Sequence, residues 1–270
     1  TTVRLGRAIG AKDKNEASKT IGNTFTLFAL TAIVATFILL LANRSIVSMI
    51  DTPPEAVKGT IAYLRICFIG IPFIIAYNII ASIFRGLGDS KSPMYFVIVA
   101  CVANIALDYI FIGHFGLGPS GAALGTTLSQ MISVIIAAIV IRKKSLLNIS
   151  GQDLRPERRT MAGILKIGVP VALQDGFIQI AFIAITAIAN GRGLNDAAAV
   201  GIVEKFIGLL FIVPSAMLAT VSAIAAQNIG AKKPERARKT MEYAIAISVG
   251  FGTIAAVTLQ FIPEYAVRIF

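Results

Sequence analysis

Long apolar runs without a single charge alternate with short polar, basic stretches along this chain. Ile21–Asn43 holds 23 such residues, Ile66–Phe84 19, Phe115–Ile141 27, Phe206–Ala231 26 and Tyr243–Pro263 21. About 20 apolar residues suffice to cross a hydrocarbon core of ~30 Å as a helix, so each run is able to span. Ser92–Gly113, around Asp108, and Ile167–Gly191, around Asp175, add two spans that each carry one acid. The pattern predicts seven helices, at about 20–46, 57–84, 92–113, 119–141, 162–190, 197–227 and 240–262. The runs are too long for strands and lack their alternation, and they show no amphipathic stripe of the kind a soluble core helix carries. The expected fold is an all-α polytopic membrane bundle.

Composition agrees: 56% of residues are hydrophobic and 14% charged, with mean hydropathy +0.79, where a soluble domain carries about 25% charge. The net charge of +11 would suit a nucleic-acid partner were it spread over one face. Instead, 19 of the 25 basic residues fall in alternate connections. They are Arg4, Arg7, Lys12, Lys14 and Lys19; Arg85 and Lys91; Arg142, Lys143, Lys144, Arg155, Arg158, Arg159 and Lys166; and Lys232, Lys233, Arg236, Arg238 and Lys239. The other side holds Arg44, Lys58, Arg192 and Arg268. The positive-inside rule places residues 1–19 and 142–161 in the cytoplasm of a plasma-membrane protein. No nucleic acid is expected as partner. Cys67 and Cys101 lie mid-helix and read as small hydrophobes, and His114 as an interfacial polar residue at a helix end. No metal site is expected, beyond a monovalent Na⁺ at Asp108 and Asn104.

A self-match orders the chain. Ile9-Gly10-Ala11-Lys12 with Ala17, Lys19 and Thr20 recurs as Ile229-Gly230-Ala231-Lys232 with Ala237, Lys239 and Thr240, seven identities in twelve positions at an offset of 220. Each copy is a Gly-ended helix, a basic turn and a new apolar helix. The repeat predicts a parent of two parallel six-helix halves, twelve helices in all, of which about seven are present. Residues 1–141 form the remainder of one lobe, from the end of its second helix to its sixth. Residues 142–161, with Asn148, Ser150, Gly151 and Pro156, form a linker, and 162–270 part of the second lobe, its seventh to about ninth helix. Secondary transporters have such architecture, with the substrate site between the halves.

Asp108 is the leading functional candidate. Asn104 lies four residues before it, hence on the same helix face. A carboxylate in hydrocarbon must meet protein, water or an ion; burial penalises its charged form and a bound cation restores it. The alternative is an interfacial acid satisfied by Asn104. Asp175, beside Gln174 and one turn beyond Pro170, either binds a cationic substrate or faces a water-filled cleft. Glu204 and Lys205 point about 100° apart on their helix and so do not pair with each other; Lys205 is a candidate partner for Asp175. Arg65 reads as a snorkelling residue. Pro72, Pro170 and Pro214 interrupt spans and are candidate hinges. Gly86-Leu87-Gly88-Asp89 fits the Gly-x-Gly-Asp pattern of intramembrane aspartyl proteases, but Ser90-Lys91-Ser92-Pro93 follows it, placing that acid in a polar turn outside the membrane core. That enzyme reading is remote, and no enzyme is expected.

Phe84-Arg85-Gly86-Leu87-Gly88-Asp89-Ser90-Lys91-Ser92-Pro93 and Asn104-Ile-Ala-Leu-Asp108 together resemble the multidrug and toxic compound extrusion (MATE) transporters. Gly116-Leu-Gly-Pro119-Ser-Gly121-Ala122-Ala123-Leu124-Gly125-Thr126 and Gln227-Asn228-Ile229-Gly230-Ala231 extend the similarity over the whole chain. The resemblance implies a two-lobe (6+6) bundle whose V-shaped cleft opens alternately to each side. It implies antiport, with Na⁺ or H⁺ entering as organic, often cationic, drugs leave. No cofactor is implied beyond that ion. The partners are the lipid bilayer and small organic cations or other drugs, and the full-length protein is expected to work as a monomer. By the same resemblance Asn104, Asp108 and Thr126 match the first lobe's cation site. An acid that some members carry on the seventh helix falls near Ile178-Gln179, one turn after Asp175. Gln174, Asp175, Gln179 and Lys205 are therefore the second lobe's polar candidates. Lipid-linked oligosaccharide flippases share the architecture, but the deep basic residues here are only Arg65 and Lys205, which ranks that reading second. A seven-helix receptor would place residues 1–19 outside and leaves the repeat unexplained.

Overall fold

A computed structural model describes residues 1–49, 54–143 and 150–261; Lys144, Asn148, Pro263 and Arg268, and the last residue of the predicted final helix, lie outside them. Every element among the described residues is helical: α1 (Thr2–Gly10), α2 (Lys14–Met49), α3 (Val57–Leu87), α4 (Lys91–Asp108) running into a π-helical turn (Tyr109–His114), α5 (Gly118–Lys143), α6 (Arg158–Arg192), α7 (Leu194–Leu210), α8 (Ile212–Gly230) and α9 (Pro234–Phe261). They supply the seven predicted spans. Three helices start earlier than the apolar runs do, α2 at Lys14, α6 at Arg158 and α9 at Pro234. Their basic first turns continue the helix beyond the hydrocarbon. The span expected over 197–227 is one span, Ala198–Gly230, with α7 and α8 meeting at Phe211. Pro214 accounts for the irregular turn there: it has no N–H for the Leu210 carbonyl and its ring crowds that oxygen. Pro72 and Pro170 lie inside unbroken α3 and α6.

The chain divides into two compact units, Thr1–Met161 and Ala162–Phe270. In the first, α3 packs on α1, α2 and α5, and α4 packs on α5. Leu5, Ala8, Ala17, Ile21, Ile79 and Ile83 join α1, α2 and α3. Ile80, Phe84, Phe96 and Ala137 join α3, α4 and α5, with the Phe84 and Phe96 rings edge to face at 5.5 Å. In the second unit α8 packs on α9.

Polarity is inverted relative to a water-soluble bundle. Thr20, Asn23, Thr24, Asn43, Ser129 and Ser133 are buried, while Leu30, Ile33, Phe37 and Leu41 form an exposed stripe along α2. Lipid covers such a stripe at no cost, whereas polar groups facing it must find partners inside. Ser133 donates to the Phe96 carbonyl at 2.9 Å.

The repeat is visible in the backbone. Lys12 (φ 59°) and Lys232 (φ 58°) are the non-glycine residues with positive φ among the described residues. In the first copy the amides of Ala11, Lys12 and Asp13 donate to the carbonyls of Arg7, Ile9 and Ala8; in the second, Ala231, Lys232 and Lys233 donate to Gln227, Ile229 and Asn228. The partners are displaced by the same 220 residues, so the same left-handed helix stop is built twice.

The segment leading into α6 is tied to the first unit. Asn23 donates to the Asp153 carbonyl at 3.3 Å and accepts from the Glu157 amide at 2.7 Å. Thr26 donates to Leu154 at 2.7 Å. Arg4 donates to the Thr160 carbonyl at 2.8 Å and pairs with Glu16 at 2.6 Å. Gly22 permits the approach, since a Cβ there would overlap the Asp153 carbonyl.

Candidate functional site

Asp108 is the last residue of α4, where the helix widens into the π-helical turn. The Phe115 amide donates to Ile110 at 3.0 Å and that of Leu117 to Phe111 at 2.9 Å, five and six residues back instead of four. Such turns recur at functional positions because they re-aim side chains. Opposite, α5 presents Gly121 and Gly125. A Cβ on Gly121 would come within 3.1 Å of the Phe111 backbone, and one on Gly125 would overlap Asp108 Oδ1. The carboxylate therefore fills the space that any larger residue at 125 would need.

Asp108 Oδ1 is buried without a hydrogen-bond partner, and so is Nδ2 of Asn104 one turn before it. The alternative in which Asn104 satisfies the acid is not what forms. On α5, Oε1 of Gln130 is buried and unpartnered too; nothing in its spacing marked it in the sequence. Leaving a buried polar atom unpaired costs about 1–3 kcal/mol, and more for a charge. Asp108 and Asn104 thus leave a buried acceptor and a buried donor unpaired within about one helical turn.

Thr126 is next to Gly125, but its side chain is exposed, and among the described residues no hydrogen bond joins it to Asp108. Its neighbour Thr127 turns to α3, 2.7 Å from where a Cβ on Gly70 would stand, and donates to the Ile66 carbonyl at 3.5 Å. Arg65, on α3, is exposed. Asp89 is a capping residue: its Oδ1 accepts from the amides of Lys91 and Ser92 at 3.0 Å each, and its Oδ2 from the Ser92 hydroxyl at 2.6 Å. Gly88 before it (φ 88°) ends α3. The protease-like motif is thus a helix–turn–helix joint.

In the second unit Gln174, Asp175 and Lys205 are exposed, and among the described residues no ion pair joins Asp175 to Lys205. Glu204 instead accepts from Thr186 at 2.7 Å. It lines a cavity of about 420 Å³ with Gln179, Phe182, Ile183, Thr186, Ala187 and Asn190.

The MatE family model matches residues 1–110 and 170–270. The chain belongs to the MATE family. The MATE resemblance read from Asn104 to Asp108 and from the Gly86–Pro93 joint is therefore correct at the level of the family. "Probable multidrug resistance protein YoeA" of Bacillus subtilis (strain 168) is 26% identical over 278 residues, covering 100% of this chain and 60% of the relative. "Probable multidrug resistance protein YpnP" of the same strain is 33% identical over 194 residues, 72% of this chain and 43% of the relative. The crystal structure of a MATE protein in the bent conformation superposes with a TM-score of 0.90 at 26% identity, covering 98% of this chain and 60% of that one. This MATE chain thus spans about 60% of the length of such relatives. It is a multi-pass membrane protein.

Proposed function

We propose that this chain is the larger part of a cation-coupled antiporter that exports organic, often cationic, compounds as Na⁺ or H⁺ enters. The observation that carries the reading is the buried, unpartnered oxygen of Asp108, one turn from the unpartnered amide nitrogen of Asn104. An acid enclosed among apolar helices persists where an ion or proton periodically compensates it. Related proteins named as multidrug resistance proteins support export as the direction of use. By this reading residues 1–19 and 142–161 face the cytoplasm, since alternate connections carry the basic residues.

The ion acts by differential affinity for two arrangements of the protein. Cation or proton at Asp108 favours one; its departure favours the other, in which drug is bound or released. Gly125 keeps the carboxylate lodged at the widened turn, and Asn104 one turn away can donate its Nδ2 to a water that accompanies the occupant. In proteoliposomes of the full-length protein, with Na⁺ and proton gradients imposed separately, one gradient should drive organic-cation transport, and Asp108→Asn should reduce it to the level of protein-free vesicles. Gradient-driven transport that survives Asp108→Asn sinks the proposal.

A further inference from the structure

A polar, turn-rich run between two membrane units would act as a slack tether if composition alone decided. The described residues 150–161 are instead fastened down. The Ser150 amide and hydroxyl donate to Asp153 Oδ2 at 2.8 and 2.9 Å, closing a turn. Beyond it the chain lies against α1 and α2. Asn23 donates to the Asp153 carbonyl and accepts from the Glu157 amide, and Thr26 donates to the Leu154 carbonyl. Arg4, itself paired with Glu16, donates to the carbonyls of Arg159 at 3.3 Å and Thr160 at 2.8 Å, in the first turn of α6. The Thr160 hydroxyl donates to Glu157 Oε2 at 3.0 Å, and Thr160 and Asn23 are buried. At Gly22 the two backbones meet with no side chain between them.

This dock is no part of the duplicated framework. At the offset of 220 residues Arg4, Glu16, Gly22, Asn23 and Thr26 become Ile224, Arg236, Glu242, Tyr243 and Ala246. Those residues remove the guanidinium, reverse the charge of its partner, fill the gap at Gly22 and take away the amide and the hydroxyl. The helix stop is built twice and the dock once. The division between the compact units falls between Met161 and Ala162, inside α6 and just past the last carbonyl that Arg4 holds. We infer that residues 150–161 are a strap fixed to the first unit in every arrangement of the protein, so that movement between the units is taken up in α6 beyond Met161 and not in the connector. Arg4, Gly22 and Asn23 are its positioning residues. Three side chains on two helices hold the strap at once, so a partial release leaves buried groups unpaired, and it lets go only as a whole. The inference rests on the transport reading solely for the existence of a second arrangement.

Two measurements on the full-length protein test it. Amide hydrogen exchange across residues 153–160, in nanodiscs and corrected for the intrinsic rate, should be equally slow without Na⁺, with Na⁺, at low pH and with tetraphenylphosphonium as the probe drug. Asn23→Leu should quicken it about tenfold or more, one decade being 1.4 kcal/mol. Asn23→Asp, which keeps an acceptor for the Glu157 amide, should quicken it less. In proteoliposomes, Thr26→Cys with Leu154→Cys, in a background where Cys67, Cys101 and any other cysteine are serine, is bridged by a bis-methanethiosulfonate. Gradient-driven transport should run at the same rate before and after dithiothreitol releases the bridge. Transport that stops when bridged and returns on release overturns the inference, as does strap exchange that reaches the Asn23→Leu rate under any of the four conditions. If the unbridged protein shows no gradient-driven transport, the coupling reading falls, and the exchange measurement alone decides the strap.

Discussion

The turns at Lys12 and Lys232 are interchangeable in backbone and hydrogen bonding, whereas the acids Asp108 and Glu204, both partly buried, differ in what packs against them. One Asp108 oxygen is sealed from partners and pressed against Gly125. Glu204 is open, with a hydroxyl partner and a cavity in front of it. A duplicated framework can keep its helix stops while its chemistry diverges, because a stop is set by a few local hydrogen bonds and an acid's role by what packs across from it.

Breaking that contrast should show most at the glycines facing or preceding the acids. Gly125→Ala forces the Asp108 carboxylate to move, and overpacking of this kind costs about 1–3 kcal/mol. Gradient-driven transport should fail as it does in Asp108→Asn, and thermal unfolding in detergent should shift down. A Cβ on Gly201, one turn before Glu204, meets nothing within 4 Å. Gly201→Ala should therefore leave transport intact and raise helix stability by up to about 1 kcal/mol. If the two alanines behave alike, the contrast between enclosed and open sites is wrong.

A smaller effect should separate the positions following the turns. Asn23, 1% exposed, holds the connector through Asp153 and Glu157, while Tyr243, at the same place in the repeat, is 69% exposed. Asn23→Ala should cost about 1–3 kcal/mol in detergent unfolding because it orphans buried backbone groups, and Tyr243→Ala about 0.5 kcal/mol or less. Proteolysis between Ser150 and Glu157 should quicken in the first variant alone. A small effect should be shared: Lys12→Gly and Lys232→Gly each relieve a left-handed backbone that costs a side-chain-bearing residue about 1–2 kcal/mol, of which glycine's greater unfolded-state entropy takes back about 0.5–1 kcal/mol. Both should raise the unfolding temperature by similar amounts; a gain at only one would mean that the two turns are not equivalent.

Much of this was legible in the residues. Charge-free runs located five of the seven spans and runs with a single acid the other two, since crossing hydrocarbon demands length and tolerates few charges. The 220-residue repeat pointed to turns that prove superposable in their hydrogen bonds. Asn104 and Asp108 share a face because four residues make about one turn. Less legible were features set by packing. Thr126 and Thr127 differ by 100° of helix phase, and only the position of α3 decides which one turns inward. Gln130 has no spacing relation to Asp108. The docking of Asp153–Thr160 on Arg4, Gly22 and Asn23 joins residues about 130 to 156 apart. The irregular turn at Phe211 was legible in Pro214, which marked where a backbone donor was missing.

The π-helical turn fixes the spelling of the loop behind Asp108. Each residue advances a helix by about 100°, and a π turn holds one residue more than an ordinary coil would. Deleting any single residue between Tyr109 and His114 would let that stretch rewind to normal pitch. It would swing the route into Gly116–Gly118 by roughly a quarter revolution relative to the carboxylate. Drift in that stretch should therefore tolerate changes of letter far more readily than changes of length.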